Sequence, residues 1–260
     1  MAQQLHFMKT QFKGLLLAVL CSSLLPLHAQ PGRPASGTPQ ISAAMAKLFG
    51  DNQAFSAAVQ SEVKMSGGET ISVPGKMSFD SGKSRFEMNM SEAKGSAMPP
   101  QMAEQMKTMG MDQMVIISRP EEKQSYMVYP GLKAYAQMPM PEEAAKAGTL
   151  KIETTEIGKE TVDGHPCVKN KAVVTDEKGT KHESTVWNAT DLKNFPVKIE
   201  TTEQGMAMKL SFKNVKLSKP EASQFNPPGD FKKYDNMMAL MQQEVMKRMQ
   251  QGGGMPAAGE

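Results

Sequence analysis

Cysteine is almost missing: the 260 residues hold two, Cys21 and Cys167. Cys21 falls in an apolar N-terminal run that reads as a cleavable leader, so the mature chain keeps Cys167 alone and no internal disulfide can staple it. Stability must then come from buried surface, and Cys167 itself is expected to be a small buried hydrophobe. Histidine is as scarce, with only His165 and His182 beyond residue 29. No His-Glu-x-x-His, close cysteine pair, Gly-x-Ser-x-Gly elbow or phosphate-cradling glycine loop occurs, which removes the familiar metal, acyl-transfer and nucleotide signatures. His165 stands in an Asp-Gly turn and reads as a surface residue, and the carboxylates are scattered singly on polar strand faces where solvation accounts for them. No catalytic residue, metal site or cofactor is therefore expected, and the chain does not read as an enzyme. Aromatics are few, one Trp and four Tyr, and the formal charge is only +3. Losing Lys9 and Lys13 with the leader lowers that charge to +1. Without a basic patch interleaved with aromatics, nucleic acid is not expected as a partner.

Methionine is what the chain has in excess, 24 residues. Its flexible, polarisable side chain fills irregular cores and lines surfaces that accept varied apolar partners. Met88-x-Met90, Met109-x-Met111, Met138-x-Met140 and Met206-x-Met208 also offer thioether pairs, and soft sulfur selects Cu(I). In Met88/Met90 and Met206/Met208, however, both sulfurs fall on the apolar strand face, where packing explains them.

The N-terminus is organised for export. Lys9 and Lys13 precede the apolar run Gly14 to Cys21, which continues to Leu25, and Leu27-His28-Ala29 stands before Gln30. This is the three-part layout of a secretory signal peptide, with cleavage expected after Ala29 and a periplasmic or otherwise exported product. The run ends short of the roughly 20 residues that a spanning helix needs, so no transmembrane segment is expected in the mature chain. Residues 30–40, rich in Pro, Gly and small polar residues, read as a disordered linker. Residues 41–251 read as one folded domain, and 252–260, opening on Gly252-Gly253-Gly254, as a flexible tail.

Within the domain, Ser42 is placed to cap a short helix over Ala43 to Phe49 that Gly50 ends. From Gln53 the period becomes two. Phe55, Ala57, Val59, Val63 and Met65 fall on one face, Ile71, Val73, Met77 and Phe79 continue, and after the Asp80-Ser81-Gly82-Lys83 turn so do Phe86, Met88 and Met90. Pro99-Pro100 then opens an inserted helix in which Met98, Met102, Met106 and Met109 recur at helical spacing, with Gly110 as its stop. Three short strands follow, Gln113 to Ser118, Lys123 to Tyr129 and Lys133 to Met138, and a brief helix over Pro141 to Lys146. Leu150 to Leu217 reads as a meander of four or five strands with one apolar and one polar face each. Pro220 to Pro228 is an irregular crossing, and a last helix from about Asp235 to Gln250 carries Met238, Met241, Val245 and Met249 on one stripe, flanked by Met237 and Leu240.

That order of elements, with Val162-Asp163-Gly164-His165-Pro166-Cys167, Val186-Trp187 and Phe195-Pro196-Val197-Lys198-Ile199 in the meander, resembles the periplasmic LolA/LolB-like proteins, outer-membrane lipoprotein carriers and their exported relatives. The resemblance runs from Phe49 to Tyr234. It implies an α+β fold, an open and strongly curved antiparallel β half-barrel with helices packed on its concave face. It further implies a non-enzymatic binder of apolar ligands in the cell envelope. The partners implied are a lipid or lipidated protein, with an envelope protein as a further one. The ligand-binding residues it points to are inward ones: Phe79, Phe86, Met88, Met102, Met106, Val197, Met206, Met208, Leu210 and Phe212. Two other readings stay open: a methionine-rich Cu(I)-binding or redox-buffering envelope protein, and an interaction or sensing domain with the Met237 to Met249 helix as its docking element.

Overall fold

In the computed structural model the described residues are 43–140, 150–175, 179–203 and 205–250. The expected leader, linker, Pro141 to Lys146 helix and C-terminal tail lie outside them.

Alternating sequence becomes strands with one buried face. β1 (Ala54–Lys64) buries Phe55, Ala57 and Val59, and β2 (Thr70–Asp80) buries Val73, Met77 and Phe79. β3 (Lys83–Asn89) buries Phe86 and Met88. The β2–β3 hairpin turns on Ser81 and Gly82, both at positive φ (51° and 92°). Two successive residues of that kind match the right-handed twist of the strands they join.

Next come β4 (Gln113–Arg119), β5 (Gln124–Tyr129) and β6 (Ala134–Pro139), then β7 (Lys151–Val162), β8 (His165–Thr175), β9 (Lys181–Ala189), β10 (Phe195–Glu203), β11 (Met206–Lys216) and β12 (Lys232–Tyr234). They form one sheet in the order β12-β6-β5-β4-β3-β2-β1-β11-β10-β9-β8-β7, with β12 and β7 at opposite edges. The open, mainly antiparallel sheet expected from the sequence is the one observed. β1 joins the two halves through its long ladder to β11, from Ser56↔Lys216 to Lys64↔Ala207. The sheet bends where the long β7–β8 hairpin turns back: Asp163 at its tip reaches Lys213 of β11 at 3.5 Å, although β9 and β10 lie between.

Register collects the apolar side chains on one face. Ala57, Met77, Phe86, Ile116, Met127, Ala136 and Tyr234 stand directly opposite one another across seven strands. On the other side of β1, Val59 faces Phe212, and Leu210, Ile199 and Val186 form a second row. A short helix, α1 (Ala43–Lys47), and the turn after it set Phe49 onto this face. Phe49 packs against Phe55, Phe79, Phe195 and Phe212, with ring centroids 4.7 to 5.9 Å apart. Five residues cannot hold a helix alone, so this packing is what holds α1. Asn52 fixes its exit by donating to the carbonyls of Phe49 (3.1 Å) and Lys193 (3.3 Å). A second helix, α2 (Pro100–Thr108), is the expected insertion between β3 and β4, and none of its residues is buried.

The C-terminal helix α3 runs through Met237–Leu240, a π-helical Met241–Val245 and Met246–Gln250. Its phase departs from the methionine stripe: Leu240 is fully buried, whereas Met238 is 71% exposed. Leu240 packs with Tyr129, Leu132, Ala134, Ala136 and Tyr234, and Met237 and Met241 flank it. The inward stripe is therefore Met237, Leu240, Met241 and Glu244, and its acidic member hides it among the surrounding methionines.

Between β11 and β12 the chain crosses the other face. Gln224 accepts from Ser78 Oγ (2.9 Å) and, through its carbonyl, from Arg85 (3.3 Å), while Arg119 donates to Asn226 (2.9 Å). Under this strap Val115, Ile117, Tyr126 and Val128 form a smaller cluster with Tyr135 and Phe231. The crossing brings β12 in parallel to β6, a strand that three residues with one apolar side chain do not announce.

Truncating Phe49 removes the ring common to these aromatic contacts. Phe49→Ala is expected to cost about 3–5 kcal/mol in urea unfolding, whereas Met238→Ala should stay within about 0.5 kcal/mol of the parent. Equal, small effects would contradict the packing described.

Candidate ligand-binding site

The antiparallel strands give the sheet two rims. One is sealed by α1 and its phenylalanine contacts. At the other, β1 ends at Lys64 while β2, β9 and β11 begin at Thr70, Lys181 and Met206. There the structure holds a hollow of about 780 Å³, lined on its apolar side by Val63, Ile71, Ile157 and Met208. Threonine and serine hydroxyls (Thr70, Ser72, Ser184, Thr185, Thr201, Thr202) and seven charged residues complete the wall. Its size falls within the about 300–1,000 Å³ usual for small-molecule sites.

One wall is an extra strand-like stretch docked on β2. Ser72 and Lys94 exchange backbone hydrogen bonds of 2.7 and 2.8 Å, and Ala97 N–H donates to the Thr70 carbonyl (3.0 Å). Gly95 makes this approach possible: its φ is +123°, and a Cβ there would collide with the Thr70 carbonyl oxygen.

The residues expected to contact ligand separate. Phe79, Phe86, Met88, Val197, Leu210 and Phe212 are buried together in the main core cluster. Met208 is half-buried and lines the hollow. Met206 is half-buried at the start of β11, opposite Glu203. On α2, Met106 is half-buried and Met102 is 47% exposed. Val63, Ile71 and Ile157 are not among the ligand contacts expected from the sequence. The first two are legible as members of the alternating rows near the strand ends, where Met65 beyond Val63 is left exposed before the Ser66-Gly67-Gly68 turn.

A methionine seam runs along the same apolar face. Met88 stands opposite Met114, and Tyr129 Oη donates to the sulfurs of Met127 (3.4 Å) and Met114 (3.7 Å). Arg248 of α3 donates to the carbonyls of Thr108, at the end of α2, and Gly131.

Elsewhere the polar groups are structural. Cys167 is buried, its thiol donates to the His165 carbonyl (3.3 Å), and burial pushes its pKa up, which suits an inert side chain. His165 Nδ1 lies 2.8 Å from exposed Asp191 and is not directed at a nucleophile. Trp187 is buried in the main core cluster, with the Lys198 ammonium 3.5 Å from its ring centroid and its indole N–H on Glu160. Among the described residues no group of three His, Cys, Asp or Glu stands where it would hold a metal ion. No helix among them is long and apolar enough to cross a membrane.

Glu244 of α3 is a buried acid, 8% exposed. It accepts from Tyr234 Oη and lies 3.4 Å from Lys232 Nζ. The tyrosine hydrogen bond, then the lysine, hold its carboxyl below the usual range, and burial raises Tyr234.

The chain belongs to the family described as Domain of unknown function (DUF4412), whose model matches residues 60–195, from within β1 to the start of β10. No curated protein matches the sequence. Among solved structures it is similar to an uncharacterized conserved protein from Thermus thermophilus, with 11% identity, 74% of this chain and 96% of that one covered, and a TM-score of 0.43. A LolA superfamily protein from Nitrosomonas europaea matches at 9% identity over 71% of this chain and 94% of its own, TM-score 0.38. The lipoprotein LppX of Mycobacterium tuberculosis matches at 11% over 72% and 97%, TM-score 0.39. A LolA superfamily protein is thus among the solved structures the chain is similar to.

The Glu244 pairing sets a pH dependence. Because its folded-state pKa is depressed, the stabilisation is present above the unfolded carboxylate value and is lost as pH falls through the folded one. The parent should therefore lose more stability than Glu244→Gln between about pH 5 and pH 3, while at pH 7 the variant should be weaker by about 1–2 kcal/mol. Urea unfolding across that range checks it; parallel curves would contradict it.

Proposed function

We propose that the protein is an exported, non-enzymatic binder of apolar ligands in the cell envelope, taking lipid acyl chains or lipidated proteins into the hollow at the open rim. The observation that carries this reading is the asymmetry of the apolar face. At one end five phenylalanines and α1 close it, and at the other Val63, Ile71 and Met208 border a hollow of about 780 Å³. The leader-like N-terminus supports the export. Each methylene taken from water contributes about 0.8 kcal/mol, so a site walled this way favours long alkyl chains over small polar metabolites without any covalent chemistry. Val63, Ile71, Met206 and Met208 are the contacts assigned to the alkyl chain. Met102 and Met106 on α2 stay in the proposal as contacts the family resemblance implies, on a helix that contributes nothing to the closed core.

The test is ligand recovery and uptake by the mature protein. Native mass spectrometry of protein from its own envelope fraction should find a bound lipid, and the delipidated protein should take up a fluorescent fatty acid. Ile71→Asn and Met208→Gln should each weaken uptake about tenfold, the loss of burying one to two methylenes. Protein recovered empty that also takes up no fatty acid would remove the reading.

A further inference from the structure

The charges around the hollow do not balance. Of its three glutamates, Glu62 is paired with Lys209 (2.8 Å), Glu183 with Lys171 (2.8 Å) and Glu200 with Lys198 (3.6 Å). Two further lysines of the wall, Lys64 and Lys94, have no side-chain partner among the described residues. Register places both on one face of the sheet. Lys64 stands opposite Thr70, two residues further along β2 Ser72 stands opposite Glu62, and Ser72 in turn faces Lys94. Two ammonium groups therefore flank a pair of hydroxyl-bearing residues, while the intervening Val63 and Ile71 turn to the other face. Apolar and cationic surfaces meet at this rim within three residues of β1 and three of β2.

We propose that the ligand is an anionic amphiphile: an alkyl chain bearing a carboxylate or phosphate head, with the chain against Val63, Ile71 and Met208 on one face and the head carried round the rim to Lys64 and Lys94 on the other. This rests on the apolar-binder reading above and adds the charge of the head to it. A wall in which every carboxylate is already paired and two ammonium groups are not repels a cationic head and offers a neutral one hydroxyls but no opposite charge. Two negative heads fit the same groups, a fatty acid's carboxylate and a phospholipid's phosphate. Both lysines are exposed, so their attraction is moderate and screened by salt. Gly95 is part of the arrangement, because only a glycine lets the strand carrying Lys94 lie this close to β2.

The experiment compares four probes of one chain length on the delipidated mature protein: hexadecanoate, hexadecyl phosphate, neutral hexadecanoylglycerol and hexadecyltrimethylammonium. Dissociation constants come from displacement of a fluorescent alkyl probe below the micelle concentration of each. The anions should bind about three- to tenfold more tightly than the neutral probe, with the gap narrowing as salt is added, and the cation more weakly. The tighter of the two anions identifies the head. In the double variant Lys64→Gln/Lys94→Gln the anions should fall to the level of the neutral probe, whose own affinity, unchanged, shows that the fold and hollow persist. Equal binding of all four probes by the parent would overturn the headgroup assignment and leave the apolar binder standing. Anion preference that survives in the double variant would overturn the role of these two lysines. Binding of none of the four would overturn both readings together.

Discussion

The structure depends on one registered row of side chains. Ala57, Met77, Phe86, Ile116, Met127, Ala136 and Tyr234 are brought face to face by six consecutive ladders, the last of them parallel. Because successive residues of a strand point to opposite faces, a slip of one residue in any ladder would carry its apolar set to the other side. Burial of this row therefore fixes register across half of the sheet. The strap on the opposite face is fixed with it: Ser78 and Arg85, neighbours of Met77 and Phe86 in sequence, project outward to hold Gln224. Inner row and outer strap thus constrain the same strands from both sides.

The two ends of the apolar face are treated differently, and this difference is what gives the molecule a candidate site. At the sealed end, large rigid rings meet at 4.7 to 5.9 Å around Phe49 and leave little for a ligand to gain. At the open rim the rows run out through Val63, Ile71 and Met208 to exposed Met65 and half-buried Met206, and the neighbouring side chains are lysines, threonines and glutamates. The methionines lie between these extremes. Met88, Met114 and Met127 fill the middle of the face, where a flexible side chain accommodates the change from aromatic to open packing.

Most of the sheet is legible because its signal is local. Phe55-x-Ala57-x-Val59 and Phe86-x-Met88 repeat with period two, and Ser81-Gly82 supplies the backbone that the hairpin needs. The inserted helix is legible from Pro100 and the methionine spacing. The features that escape depend on partners distant in sequence. β12 exists because Tyr234 finds Ala136, and nothing within Lys232–Tyr234 announces that. The inward face of α3 is set by Leu240 and by Glu244, whose burial makes sense only once Tyr234 and Lys232 stand beside it. Trp187 joins the core as its type suggests, but the acceptor of its indole N–H, Glu160, stands on β7 and is not announced locally. Among the residues expected to meet ligand, those of the strand interiors enter the closed core, and Met208 stands at the hollow because it lies near a strand end.

The central claim is that an alkyl chain occupies the open rim. It is tested most directly by photolabelling the delipidated mature protein with a fatty acid carrying a diazirine near its terminal methyl, then mapping the adducts by peptide mass spectrometry. Adducts confined to the peptides carrying Val63, Ile71 and Met208, and suppressed by unlabelled fatty acid, are the expected result. Adducts spread evenly over the surface, or concentrated on α3 around Met238 and Met246, would contradict the account.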